Sequence, residues 1–208
     1  MNPRLIPDHP IEIGYKRSWF AVREVEAQAL ASIFSLGHTY PCNWQYGLAA
    51  AREGSVFISP AMRGWRLVVG NLLPLGDSNA SIGTVKALLQ RSSRVAPEAQ
   101  FFATHRVSEF HCWLKAEAGM LVRAYAYLGD RMELLADEGI KTAAEPKGLI
   151  SAREIALLEA DEEVEVTFPD EDLVMTIAAA WSLNPNAFAE EDTRAGLGVV
   201  GTAPSQFI

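Results

Sequence analysis

The 208-residue chain has few cysteines and no long apolar run. Its two cysteines, Cys42 and Cys112, lie far apart and form no CxxC motif, so neither a disulfide framework nor a cysteine-based zinc site has support. We expect both thiols to be reduced, buried and inert. No window approaches the roughly 18 to 20 apolar residues of a membrane span. The sequence therefore predicts no association with a membrane.

Targeting and catalytic motifs are also lacking. Residues 1–17 are polar and contain three prolines, without the apolar core and cleavage site of a secretory signal, so we expect a cytoplasmic protein. No GxSxG or SxxK motif for a serine nucleophile occurs. The glycines at 196, 198 and 201 have dinucleotide-binding spacing, but only seven residues follow them, too few for a βαβ unit. The sequence predicts no cofactor.

The composition is that of a globular protein, with 49% hydrophobic and 21% charged residues. We expect a single α+β domain over residues 1–208, with residues 15–97 and 98–192 as candidate sub-units. An internal echo suggests that these could be related, because residues 64–77 and 119–130 both run from a glycine through an apolar strand to Leu-Gly-Asp. Chance recurrence of such strings is the alternative explanation.

Negative charge is concentrated in the C-terminal portion. Residues 1–129 contain 13 Lys or Arg against 9 Asp or Glu, whereas residues 130–208 contain 5 against 17. Such a region repels phosphates, which argues against binding of nucleic acid. The acidic run is either a solvated face with a helix N-terminus or a docking surface for a basic protein. The residues assigned to the docking surface are Glu162, Glu163, Asp170, Glu171 and Asp172.

Helical periodicity marks five segments of the chain. They are residues 23–38, 43–54, 78–93, 151–159 and 169–183. The last has the clearest start, because Asp170 is a plausible N-cap and Glu171 and Asp172 would lie at the positive end of the helix dipole. Leu173, Ile177 and Trp181 would form its apolar stripe.

Alternating apolar residues predict strands at 55–59, 65–70 and 164–168 and a meander around residues 100–136. The expected architecture is an antiparallel sheet with helices packed on one side. Residues 101–116 are predicted as the first strand of the meander. Alternation along it places Phe110, Cys112 and Leu114 on one face and Glu109, His111, Trp113 and Lys115 on the other.

The segment 104–112 is the best candidate for catalysis, because it contains His105, Arg106, Glu109 and His111. On a straight strand His105, Glu109 and His111 would share one face, but His105 and His111 would be about 20 Å apart, too far to share a metal ion. Glu109 with His111 could centre a metal-assisted hydrolase in which Arg106 or Arg123 holds an anionic substrate. Such a site would need convergence from elsewhere, for example from His38 or Asp130. The alternative is that these residues only form cross-strand pairs.

The sequence favours a non-enzymatic interaction protein over an enzyme. In this hypothesis an immunity- or adaptor-like protein uses its acidic C-terminal portion to bind a basic partner protein. Aromatic side chains would be its anchors, and the candidates are Trp19, Trp44, Trp65, Trp113, Tyr125 and Tyr127. The metal-assisted hydrolase is the alternative. A homodimer formed through a sheet edge or through the helix that carries Trp181 is a third hypothesis.

Overall fold

A computed structural model describes residues 2–14, 18–188 and 194–204 of the chain. Within this part, nine strands form one antiparallel sheet with the order β2-β9-β3-β4-β1-β5-β6-β7-β8. The strands are β1 Ser18–Arg23, β2 Gly37–Cys42, β3 Ser55–Ile58, β4 Trp65–Val69, β5 Glu98–His105, β6 Phe110–Glu117, β7 Met120–Leu128, β8 Glu133–Gly139 and β9 Gly198–Thr202. The helices are α1 Ala27–Ile33, α2 Trp44–Arg52, α3 Asn79–Ser92, α4 Ala152–Glu159 and α5 Glu171–Trp181, with short 3₁₀ helices at Pro3–Leu5 and Gly129–Arg131.

The α+β class and the antiparallel sheet are confirmed, and the helices cover both faces of the sheet rather than one. Adjacent residues of β5 show the cause, since Phe101 and Phe102 point to opposite faces and both are fully buried. Side chains of α1 and α3 pack with Phe101 in one core cluster, and side chains of α2 and α5 pack with Phe102 in the other. A sheet that is apolar on both sides has to be covered on both sides.

The meander is confirmed as the four strands β5 to β8. Its first segment is two strands, however, because a turn at residues 106–109 separates β5 from β6. His105 Nδ1 lies 3.1 Å from Ser108 Oγ across this turn, and Glu109 has a left-handed φ of +47°. Ser108 is a residue type that favours turns, but the apolar alternation on either side of it led to the prediction of one continuous strand.

The C-terminal segment enters the sheet. Strand β9 pairs with β2 on one side and β3 on the other. This close approach requires glycine: a Cβ at Gly198 would collide with the carbonyl oxygen of Ile58, and one at Gly201 would lie 2.9 Å from Leu36 Cβ. Residues 198–202 are therefore held in the sheet, while residues 205–208 lie outside the described part.

The five predicted helices are all present, but the strand predicted at 164–168 is not. Only Thr167 of that segment forms a bridge, with Leu149. Cys42 and Cys112 are free and buried, and burial raises the pKa of Cys42 to about 11, so a thiolate is disfavoured there. Among the described residues, no helix is long and apolar enough to cross a membrane.

The sheet runs without interruption through both candidate sub-units. Strand β1 pairs with β4 from residues 15–97 and with β5 from residues 98–192. The single domain and the internal duplication both stay predictions.

Helix α5 packs on β5 and β6. Its N-terminus therefore lies beside the turn between those two strands, where the candidate site is found.

Candidate binding cavity

A cavity of about 670 Å³ lies where the turn between β5 and β6 meets the N-terminus of α5. This volume is in the range of small-molecule and side-chain binding sites. Its walls combine the two regions that the sequence assigned to different hypotheses, the acidic docking surface and the Glu109–His111 region. The lining residues are Arg106, Glu109, His111, Tyr127, Phe168, Pro169, Asp170, Glu171 and Asp172.

Helix α5 supplies three of the carboxylates. Asp170 is its N-cap, and its Oδ1 accepts a hydrogen bond of 2.7 Å from the backbone N–H of Leu173. Glu171 and Asp172 follow in the first turn, where the helix dipole stabilises negative charge. The buried residues Val174 and Ile177 then hold the helix against the sheet. The local pattern therefore places all three predicted carboxylates at the cavity.

Glu171 is mostly buried and forms an ion pair across the cavity. Its Oε2 accepts a hydrogen bond of 2.6 Å from Arg106 Nε, and the side chain is 12% exposed against 59% for Arg106. The other carboxylate oxygen, Oε1, is buried and has no hydrogen-bond partner among the described residues. A buried acceptor without a donor costs free energy, and a donor from outside the chain can reach this oxygen only after the side chains that cover it move.

His111 forms part of the wall on β6. It pairs in register with Thr104 of β5 and Tyr127 of β7, and it is only 6% exposed. Its Nδ1 lies 3.2 Å from Thr104 Oγ1. Burial lowers the pKa of the imidazole, although the carboxylates of Asp170, Glu171 and Glu109 act in the opposite direction. The lowered pKa favours the neutral ring at pH 7.

Glu109 reaches the cavity from the turn rather than from the strand face on which it was predicted. Its carbonyl oxygen accepts a hydrogen bond of 3.1 Å from the backbone N–H of Gly129. A Cβ at position 129 would lie 2.6 Å from Glu109 Cβ, so the glycine leaves the space that the glutamate occupies. His105 and His111, predicted to share a strand face, lie on separate strands, and His105 does not line the cavity.

Two aromatic residues form the apolar wall. The ring centroids of Tyr127 and Phe168 are 6.2 Å apart, and Phe168 is 49% exposed at the opening. Val107, on the same turn as Arg106, is also exposed. Phe168 was missed in the sequence because it was assigned to a strand. Its position directly before Pro169 and the N-cap Asp170 was the signal that could have placed it at a helix entrance.

Arg123 does not belong to this site, which corrects its assignment as a holder of an anionic substrate. It is 1% exposed, and its Nε and Nη2 bond Glu145 over 2.6 to 3.0 Å while its Nη1 bonds Asp137 at 2.7 Å. Burial alone would raise the pKa of Glu145, but hydrogen bonds from Arg123 and from the backbone of Thr142 outweigh it, and the pKa is lowered. Arg123 therefore neutralises carboxylates of its own chain.

The remaining predicted residues lie elsewhere. Glu162 and Glu163 are exposed in the segment after α4 and do not line the cavity. His38 is on the edge strand β2, far from β6 in the strand order, and Asp130 is also outside the cavity wall. Most of the proposed aromatic anchors cannot reach a partner, since they are core residues. These are Trp19, Trp44, Trp65, Trp113 and Tyr125.

The chemistry of the cavity is that of a hydrogen-bond acceptor. Four carboxylates face one guanidinium and a neutral imidazole, beside an aromatic wall. Among the described residues, no group of three or more His, Cys, Asp or Glu side chains is arranged to hold a metal ion. The arrangement suits an organic cation, which can donate hydrogen bonds to carboxylates and contact aromatic faces.

Comparison of the chain with family models, with curated proteins and with solved structures gave no significant match. The fold and the cavity define the chain as an α+β protein with a nine-stranded sheet and an acidic, aromatic-walled cavity. Inferences about its function therefore rest on its own residues.

Proposed function

We propose that this chain is a non-enzymatic, cytoplasmic protein of the immunity or adaptor type that binds a basic partner protein through its acidic C-terminal portion. The observation that carries the proposal is the convergence of Asp170, Glu171 and Asp172 with Glu109 on one cavity. An acidic run that served only as a solvated face would have no reason to surround a recess with aromatic walls.

Electrostatics supports a basic partner in two ways. The net charge is −8, and the excess of carboxylates lies in residues 130–208. The long-range field of these carboxylates attracts positively charged protein surfaces. At short range, the carboxylates of the cavity can pair with cationic groups. Glu162 and Glu163 are exposed outside the cavity and fit the long-range role.

Apolar surface at the cavity opening supports a protein partner rather than a free small cation. Phe168 is half-exposed, and Val107 is exposed on the neighbouring turn. Protein interfaces typically combine aromatic and aliphatic contacts at the centre with charged groups around them. These two residues replace the tryptophans as candidate anchors.

The test has a capture step and a kinetic step. The purified chain is immobilised, extract of the source organism is passed over it, and proteins released by salt are identified by quantitative mass spectrometry. Association of each purified candidate is then measured by stopped flow from low to high salt. For the true partner, Glu162→Lys with Glu163→Lys should slow association and reduce its dependence on salt.

The matched control is Glu12→Lys with Glu53→Lys, which changes the net charge equally at exposed positions in residues 1–129. The control should retain most of the association rate. Equal effects of the two pairs would show that only the net charge matters. Unchanged association rates in both would show that the acidic portion does not steer the partner.

A second candidate is the metal-assisted hydrolase centred on Glu109 and His111. It is favoured by one observation, namely that both residues line the cavity instead of being sealed in the core. Elemental mass spectrometry of the untagged protein and of His111→Ala tests it. Stoichiometric metal that is lost in the variant would favour the hydrolase, and a metal-free wild type would favour the binding protein.

A further inference from the structure

The cavity already contains one cationic group, and the chain itself supplies it. The guanidinium of Arg106 contacts Glu171 through Nε, from a side chain that is more than half exposed. An arginine that approaches a carboxylate end-on can instead form two parallel bonds to both oxygens. Arg106 bonds Oε2, and Oε1 has no donor among the described residues.

The surrounding residues could complete the recognition of a second guanidinium. In the tautomer that donates Nδ1–H to Thr104, His111 presents Nε2 as an acceptor. Phe168, which is 49% exposed beside the buried Tyr127, supplies an aromatic ring, on which a planar guanidinium stacks better than a compact, strongly hydrated ammonium does. The cavity volume of about 670 Å³ leaves room for the side chain and part of the backbone that carries it.

We propose that the cavity binds an arginine side chain of the partner protein and that this arginine displaces Arg106 from Glu171. The inference rests on the proposed function, since it names the chemical group by which the basic partner is recognised. In the free protein Arg106 neutralises part of the carboxylate charge. In the complex the incoming guanidinium bonds both oxygens of Glu171, and Arg106 turns towards solvent.

The test uses small probes, so it does not depend on knowing the partner. N-acetyl-arginine methylamide, the corresponding lysine compound and the citrulline compound are titrated into the ¹⁵N-labelled full chain and followed by NMR. The citrulline compound matches arginine in shape but has no charge. We expect shifts centred on His111 and Glu171 with the arginine probe, weaker shifts with lysine, and none with citrulline.

Two variants separate direct binding from displacement. Glu171→Gln should weaken binding of the arginine probe at least about tenfold, because it removes the charged acceptor. Arg106→Gln should strengthen binding by up to about fivefold, the range set by the strength of an exposed ion pair. Glu53→Gln and Arg52→Gln, both at exposed positions outside the cavity, are the matched controls for loss of one negative and one positive charge, and each should change affinity less than its counterpart.

The outcomes are distinguishable. Equal binding of the lysine and arginine probes would overturn recognition of a guanidinium. Weaker binding by Arg106→Gln would show that Arg106 is itself a contact residue and would overturn displacement. If no probe binds while Glu162→Lys with Glu163→Lys still slows association of the partner, this inference fails and the proposed function stands.

Discussion

Two arginines of the meander pair with glutamates in opposite ways. Arg123, on β7, is 1% exposed, and its guanidinium bonds Glu145, Asp137 and the carbonyl oxygens of Ala124 and Glu138. Arg106, in the turn between β5 and β6, is 59% exposed, and one oxygen of its partner Glu171 has no hydrogen bond within the described part of the chain. The residue types are the same, but the Arg123–Glu145 pair is buried and the Arg106–Glu171 pair is partly exposed. We call the first the closed site and the second the open site.

The difference shows how the same ion pair can be structural or exchangeable. Removing Arg123 from water costs free energy that only complete pairing offsets, and Glu145 is fully buried with it. The pair thereby holds the segment 142–145 against the sheet. Within this segment the backbone N–H of Thr142 also donates a hydrogen bond to Glu145. Arg106 is more than half exposed, so its ion pair with Glu171 is expected to contribute little to stability.

The largest effect is expected at the closed site. Arg123→Ala should lower the free energy of unfolding by about 3 to 5 kcal/mol, because it leaves the Glu145 carboxylate buried without its cation. Urea unfolding followed by tryptophan fluorescence measures this. Arg123→Met combined with Glu145→Leu should recover most of the loss, and a double variant as unstable as the single one would contradict this account of the pair.

A smaller effect is expected at the N-cap that positions the cavity carboxylates. Asp170→Ala should cost about 1 kcal/mol, because the Leu173 N–H loses its acceptor. Asp170→Asn retains an acceptor and should cost much less. Thermal unfolding of the three proteins measures the difference, and equal losses in both variants would show that charge rather than capping matters at this position.

The open site should contribute little to folding. Arg106→Gln should change the free energy of unfolding by less than about 1 kcal/mol, since exposed ion pairs contribute little. Urea unfolding alongside Arg123→Ala gives the direct comparison. A loss as large as that of Arg123→Ala would show that Arg106 is structural and would end the distinction between the two sites.

The smallest effect is expected from pH. Burial lowers the pKa of His111 in the folded chain below its ordinary value of 6.5, so the unfolded chain binds this proton at higher pH. Stability from this group is complete above about pH 6.5 and is lost as the pH falls through the lowered pKa. Thermal unfolding from pH 8 to 5 should therefore fall less steeply in His111→Gln than in the wild type. Parallel profiles would show that His111 titrates as it does in water.

The sequence was most informative where a signal lies within one turn or one strand. The start of α5 was predicted to the residue because Pro169, Asp170 and Glu171 combine a helix entrance, a cap and a favourable charge. The two faces of β6 were also predicted, with Phe110, Cys112 and Leu114 in one core cluster and Trp113 in the other. Both signals depend only on local backbone geometry.

Strand boundaries were predicted poorly where an apolar pattern continues through a turn or where a strand is short. Residues 101–116 alternate on both sides of the turn at 106–109, so the hairpin was missed. Strand β9 is rich in glycine, and nothing local distinguishes it from a loose tail. Its place in the sheet depends on how Gly198 and Gly201 fit between β2 and β3.

Local patterns were enough to predict the α+β class, the antiparallel meander and the acidic start of α5, because periodicity and capping act over a few residues. The contact between Arg106 and Glu171, which are 65 positions apart, and the burial of Arg123 arise from the folded arrangement of strands and helices. Such meetings depend on the strand order and on which helix covers which face. One arginine therefore became part of the structure, while the other was left at an open cavity.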